Sequence, residues 1–196
     1  MDTVRPAARE RLLDTAGELF YRDGIRAVGI DTIVDRSGVA RMTLYRHFAS
    51  KDDLIAAYLE RADERYWRWF EAAVGPPDAP LHGRIRGLFA ALGDVLAATG
   101  HRGCPFLNAA AEFPDVAHSA HRIAAGNKRE LRERLRAVLQ EAGVRAPDTL
   151  AGQLVVLMNG AYASGAALGT AEPAVEAAEA AVQLVEANLP KAESFR

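Results

Sequence analysis

Apolar residues recur along this chain at helical intervals of three and four, and no stretch sustains a two-residue alternation. Such spacing gives each segment one buried stripe and leaves no candidate for a half-buried strand. The fold class is therefore read as all-α. Gly and Pro punctuate the pattern and set the ends of the segments. The spacing predicts helices over about Pro6 to Arg22, Asp31 to Arg36, Arg41 to Phe48 and Lys51 to Val74. It continues with Leu81 to Thr99, Phe106 to Glu112, Asp115 to Glu141, Pro147 to Leu168 and Glu172 to Pro190. In the first of these, Leu12, Leu13, Ala16, Leu19 and Phe20 share one face. Ser50 is placed to cap the fourth, with Asp52 and Asp53 in its first turn. The most marked break is Gly75-Pro76-Pro77-Asp78.

Composition narrows the class. With 49% of residues apolar, the chain can bury a core and does not read as disordered. No apolar run approaches the roughly 20 residues of a membrane span, and no membrane partner is expected. The start, Met1 to Pro6, is polar and lacks the apolar core of an export signal. A single cysteine, Cys104, rules out an intrachain disulfide and fits a reducing, cytoplasmic setting.

The net charge of −2 does not suggest a polyanion binder, but its distribution does. No acid stands between Asp35 and Asp52, while that window holds Arg36, Arg41, Arg46, Lys51 and His47. Acids crowd instead from Glu172 to Glu186. A local basic patch can bind phosphate on a near-neutral protein.

Two short helices joined through Ser37-Gly38-Val39, the second of them basic, form the pattern of a helix-turn-helix. Leu44 and Phe48 anchor the second helix, so Arg41, Thr43, Tyr45, Arg46 and His47 project from it. Arginine can fork onto guanine edges or phosphates, and hydroxyls suit phosphate oxygens. Lys51 sits at the start of the next helix, whose backbone N–H groups already favour an anion.

The run from Asp31 to Leu54 resembles the signature of the TetR family of bacterial regulators. The pieces Thr43-Leu44-Tyr45, His47-Phe48 and Ser50-Lys51-Asp52-Asp53-Leu54 stand at that family's spacing. The resemblance implies about nine helices: a three-helix helix-turn-helix domain at 1–52, then a helical ligand-binding and dimerisation domain at 53–196. Thr43, Tyr45, His47 and Lys51 match family DNA-contacting positions, and Arg41 and Arg46 occupy variable positions of the recognition helix. This chain departs from the common pattern at Ala40, where Ser is frequent, and at Met42, where Gly is frequent. Gly29 stands where a capping Ser or Thr is usual. Carried over whole, the resemblance implies a homodimeric repressor that holds a palindromic DNA operator and is released by a small, apolar effector. No cofactor is expected.

The C-terminal half offers a seam and a pocket. Leu150, Leu154, Leu157, Ala161 and Leu168 lie near a 3.5-residue repeat, as do Val175, Ala178, Val182, Val185 and Leu189. Gly160, Ser164 and Gly165 would let helices approach closely. The expected dimer core therefore includes Leu154, Leu157, Ala161, Leu168, Val175, Ala178, Val182 and Val185; the same spacing would serve packing within one chain. An effector pocket is expected to have an apolar wall of Trp69, Phe70, Phe89, Leu92, Phe106, Met158 and Tyr162. Asn108, His121 and Asn159 would orient the ligand. Asp115, His118 and His121, with His101 or Cys104, lack firm metal-ligand spacing and are not read as a site. Cys104 is read as a small buried hydrophobe.

The competing class is an all-helical enzyme or small-molecule carrier. No phosphate loop, Gly-rich dinucleotide turn, nucleophile elbow or His-Glu-x-x-His occurs. The basic helix-turn-helix has no role in that reading, so the chain is expected not to be an enzyme.

Overall fold

The computed structural model describes residues 7–98 and 100–190. Among them it contains nine helices and no strand. These are α1 (Ala8–Asp23), α2 (Ile30–Ser37), α3 (Arg41–His47), α4 (Lys51–Val74), α5 (Leu81–Ala97), α6 (Pro105–Glu112), α7 (Ser119–Glu141), α8 (Pro147–Leu168) and α9 (Glu172–Asn188). The polar segment Met1 to Pro6, the expected start at Pro6 and the expected end at Thr99 lie outside the described residues. No helix is long and apolar enough to cross a membrane among the described residues.

One boundary differs from the spacing by a full turn. The seventh helix begins at Ser119, not near Asp115. The Asp115 carboxylate accepts the Ala117 N–H at 2.9 Å and its carbonyl accepts the His118 N–H at 3.0 Å, which closes a turn. His118 then caps the helix, its Nδ1 accepting the Ala120 N–H at 3.2 Å.

By packing, the chain forms two compact units. The first takes in residues 1–65 and 105–125, and the second residues 66–104 and 126–196. In the first, α1, α2 and α3 pack on one another. The predicted stripe of α1 is wholly buried, and Ile33, Leu44 and Phe48 complete the centre of the head. Gly38 adopts φ +63°, and its N–H is accepted by the Val34 carbonyl. That left-handed residue is what lets α2 stop and α3 start within a few residues.

In the second unit α5, α8 and α9 pack together. Phe89, Leu88, Leu92, Leu154, Met158, Ala181 and Val185 are fully enclosed there. Gly165 is required by this packing. A Cβ on it would stand 2.8 Å and 2.9 Å from the Leu96 methyl carbons and 3.1 Å from the Thr170 carbonyl oxygen. Its small size thus serves contact of α8 with α5 inside one chain.

His101 belongs to the same unit. Its Nε2 accepts the Gly103 N–H at 3.1 Å, and its ring lies against Tyr162 at 6.1 Å between centroids. Burial pushes the imidazole pKa below its ordinary value. Below about pH 6.5 the unfolded chain binds a proton that the folded chain resists. Stability therefore falls as the pH drops through that value. The urea midpoint is expected to decline on acidification, and His101→Gln to remove part of the decline; equal declines in both proteins would contradict this assignment.

Candidate nucleic-acid interface

The interface is built on α3. Leu44 and Phe48, both buried, fix one side of the helix to the head, and Thr43 is half-buried beside them. The other side carries Arg41, Met42, Tyr45, Arg46 and His47, all exposed. Positions 42, 45 and 46 fall on one face, as helical spacing of three and four requires. The structure therefore brings five of the six expected DNA residues, Arg41, Thr43, Tyr45, Arg46 and His47, onto one short helix. The sixth, Lys51, opens α4.

The cations are not equivalent. The Arg41 guanidinium is ion-paired with Asp31 of α2. Arg46 has no ion-pair partner among the described residues. Lys51 is half-buried: its Nζ lies 3.5 Å from the Arg26 carbonyl oxygen and 6.0 Å from the Phe20 ring centroid. Burial pushes its ammonium below the ordinary lysine value, against the pull of Asp52 and Glu112. The start of α4 is well formed. Ser50 Oγ accepts the Asp53 N–H at 3.1 Å and donates to the Asp53 carboxylate at 2.9 Å, a reciprocal cap. A helix of 24 residues begins there, with Lys51 in its first turn.

Two features escape sequence reasoning. The first is Met42, 75% exposed at the front of the recognition helix. The second is a clasp made by Glu112, the last residue of α6. Its two carboxylate oxygens accept the Ile25 N–H at 3.0 Å and the Arg26 N–H at 2.7 Å, in the turn between α1 and α2. Arg26 returns a bond from Nη1 to the Glu112 carbonyl at 3.2 Å, capping α6. The connection continues through Arg26 over the Phe113 ring, Phe113 stacked on His118 at 4.3 Å, and His118 Nε2 3.7 Å from Asp52. A carboxylate at a helix C-terminus opposes the helix dipole, and two backbone donors offset that cost. The partners are 86 and 87 residues away in sequence, so no local signal announces them.

The other expected sites divide between the units. Trp69, Phe70, Phe89, Leu92, Met158, Asn159 and Tyr162 belong to the second unit, and Phe106, Asn108 and His121 to the first. Phe70, Phe89, Leu92, Met158 and Tyr162 are buried, and Trp69 is half-buried. Asn159 Oδ1 is buried and has no hydrogen-bond partner among the described residues. His121 Nδ1 lies 2.8 Å from the Phe113 carbonyl oxygen. Phe89 also lines an open groove of about 630 Å³ between α5 and α9. No group of three His, Cys, Asp or Glu residues could hold a metal among the described residues. Cys104 is buried, with Lys128 Nζ 3.3 Å from its sulfur.

Of the expected seam, Leu154, Ala161, Val182 and Val185 are buried within the chain itself. Leu157 and Ala178 are half-exposed, and Leu168 and Val175 are exposed. The intrachain contacts of α5, α8 and α9 account for the first group, and the second remains on the surface.

Comparison with known proteins agrees with this geometry. A family model described as bacterial regulatory proteins of the tetR family matches residues 12–58. A second, described as the tetracyclin repressor-like C-terminal domain, matches residues 82–181. The solved structure of a TetR-family transcriptional regulator from Streptomyces coelicolor is 39% identical. The match covers 92% of this chain and 93% of that one, with a TM-score of 0.80. A TetR-type regulator from Streptomyces avermitilis is 31% identical over 93% of this chain and 98% of its own, with a TM-score of 0.82. The transcriptional activator FasR of Mycolicibacterium smegmatis is 46% identical over 57 residues, 29% of this chain and 26% of that protein. The transcriptional repressor KstR2 of Mycobacterium tuberculosis is 33% identical over 87 residues, 42% of this chain and 41% of that protein. The chain thus spans less than half the length of these curated relatives. With a helix-turn-helix head, an all-helical remainder and both domain models matched, this chain belongs to the TetR family of DNA-binding transcriptional regulators, which are not enzymes.

Proposed function

We propose that the protein is a cytoplasmic homodimeric repressor that holds a palindromic operator and is released by a small, apolar effector. The observation that carries the DNA-reading part is the exposed face of α3, where Arg46, Tyr45 and His47 project from a helix anchored by Leu44 and Phe48. Thr43 and Lys51 stand at its margins to take phosphates. The functional division is at residue 52, with the head ahead of it and the ligand-binding, dimerising part behind.

Two heads read a palindrome better than one, because a single short helix contacts few base pairs. Val156 and Leu168 on α8, each 70% exposed, and Val175 on α9, 59% exposed, support a partner against these two helices. Leu157 and Ala178 border them, while Leu154, Ala161, Val182 and Val185 stiffen the helices from within. For the effector, the support is the apolar set Phe70, Phe89, Leu92, Met158 and Tyr162, with Asn159 Oδ1 offering an unused acceptor. Effector binding shifts a population between conformers, and release needs a few kcal/mol of preference for one of them. The single helix α4 starts at Lys51 and ends in the second unit, so it is the covalent link along which the shift runs.

The test is a mobility shift and footprint on the DNA flanking the gene, at fixed salt with competitor, together with light scattering of the protein. A protected palindrome and a dimer mass are expected. Absence of any binding at low salt, or a monomer at micromolar concentration, would overturn the corresponding part.

A further inference from the structure

Resting on the reading of α3 as the DNA-reading helix, we propose that Met42 is a specificity-determining residue that reads the 5-methyl group of a thymine in the major groove.

A long apolar side chain left in water on a small head is out of keeping with its neighbours. Met42 is 75% exposed, whereas Leu44 and Phe48 of the same segment are 0% and 4% exposed. It is not a spare core residue, since the head is closed beneath α3 by Ile33, Leu44 and Phe48. Its position is on the outward face with Tyr45 and Arg46, one turn nearer the start of the helix. Recognition helices bring the residues near their N-terminal end closest to base edges. The polar members of this face have polar or charged targets available: guanine edges for Arg46, phosphate oxygens for Tyr45 and His47. A thioether has none of these. The thymine methyl is the one apolar feature displayed on a major-groove base edge. Methionine suits it, being unbranched, polarizable and able to adapt its rotamers to a shallow surface. An acidic or large β-branched residue would repel the backbone or stand rigidly off the base; methionine does neither.

The Asp31–Arg41 ion pair sharpens the assignment. It engages the cation immediately before Met42, so the front of the helix offers its apolar side chain beside a neutralised charge. Arg46, one turn on, supplies the unneutralised cation.

Duplexes selected from a random-sequence library by the full-length protein provide the probe. Each thymine of the selected site is replaced singly by deoxyuridine, which removes only the methyl group. At one thymine per half-site the loss of affinity is expected to be about fourfold, the worth of one buried methyl. Met42→Ala should bind the thymine and deoxyuridine duplexes equally, and Met42→Leu should restore most of the difference. Because Met42 is exposed, Met42→Ala is expected to fold normally, and unchanged urea unfolding checks this. A selected site whose every deoxyuridine substitution is neutral, or equally harmful to Met42→Ala, overturns the Met42 assignment alone. Failure of the library to yield any preferred sequence overturns the reading of α3 and the assignment with it.

Discussion

Arg46→Ala is expected to weaken binding to a selected DNA site by roughly ten- to a hundredfold per half-site, with the fold unchanged. Arg46 is exposed, lies on the outward face of α3 and has no ion-pair partner among the described residues. Its removal therefore leaves no buried charge behind and opens no cavity, so unfolding free energies should match within about 0.5 kcal/mol. Affinity should fall because a guanidinium forked onto two base acceptors gives two charge-assisted bonds that no neighbour replaces. Arg46→Lys should recover only part of the loss, as a point charge lacks the fork. Anisotropy titrations on the selected site and on single-base variants check this. Loss concentrated at one base pair places Arg46 on a base edge. A uniform loss with the salt slope reduced by about one places it on a phosphate instead. Unchanged affinity would remove Arg46 from the interface. Arg41→Ala should cost less, since its charge is already shared with Asp31.

The second large effect is expected at Glu112, which grips the turn between α1 and α2. Glu112→Ala should lower stability by about 2 kcal/mol, the worth of two charge-assisted bonds to backbone donors, one of them part-buried. The Ile25 bond is part-buried and the Arg26 bond exposed, so the former carries most of the cost. Arg26 would keep its bond to the position-112 carbonyl, because that bond uses the backbone. Glu112→Gln retains one acceptor and should lose about half as much. Urea unfolding measures both, and a change under about 0.5 kcal/mol for Glu112→Ala would mean that the clasp does not hold the turn. DNA affinity should fall as well, since the α1–α2 turn that Glu112 grips sets the start of α2 and so the seat of α3. Arg26→Ala, which spares both N–H donors, separates the cap on α6 from the grip on the turn.

These two residues differ in how far the sequence announces them. The exposed place of Arg46 on α3 was legible because Leu44 and Phe48 fix the opposite face of that helix by a local period. The head as a whole was legible for the same reason: Leu12 to Phe20, Ile33, Leu44 and Phe48 obey a local period, and local periods dictate helix faces. Helices α2, α3, α4 and α6 fall within a residue or so of the expected bounds. The start of α7 was misplaced by a turn because the side chains of Asp115 and His118 took the backbone donors that a helix would have used. Glu112 was illegible, its partners lying in a distant turn. The small residues of α8 were only half legible. Gly165 turned out to admit Leu96 of the same chain, while Gly160 and Ser164 remain on the surface. Heptad-like spacing on α8 and α9 likewise could not distinguish a residue that faces its own core, such as Leu154, from one that faces outward, such as Leu168. Both obey the same period, and only the packing partner differs.

The Asp31–Arg41 pair has a consequence for how the protein searches DNA. Every bond Arg41 makes to a nucleic acid must first be taken from a carboxylate on its own head. On random sequence that exchange swaps one anion for another and gains little, since exposed ion pairs are worth only about 0–1 kcal/mol. At a guanine edge with two acceptors the exchange is favourable. The internal carboxylate thus competes with DNA for Arg41 and lowers what any contact through it gains by the same amount, so a net gain through Arg41 is expected only where the DNA offers more than one acceptor.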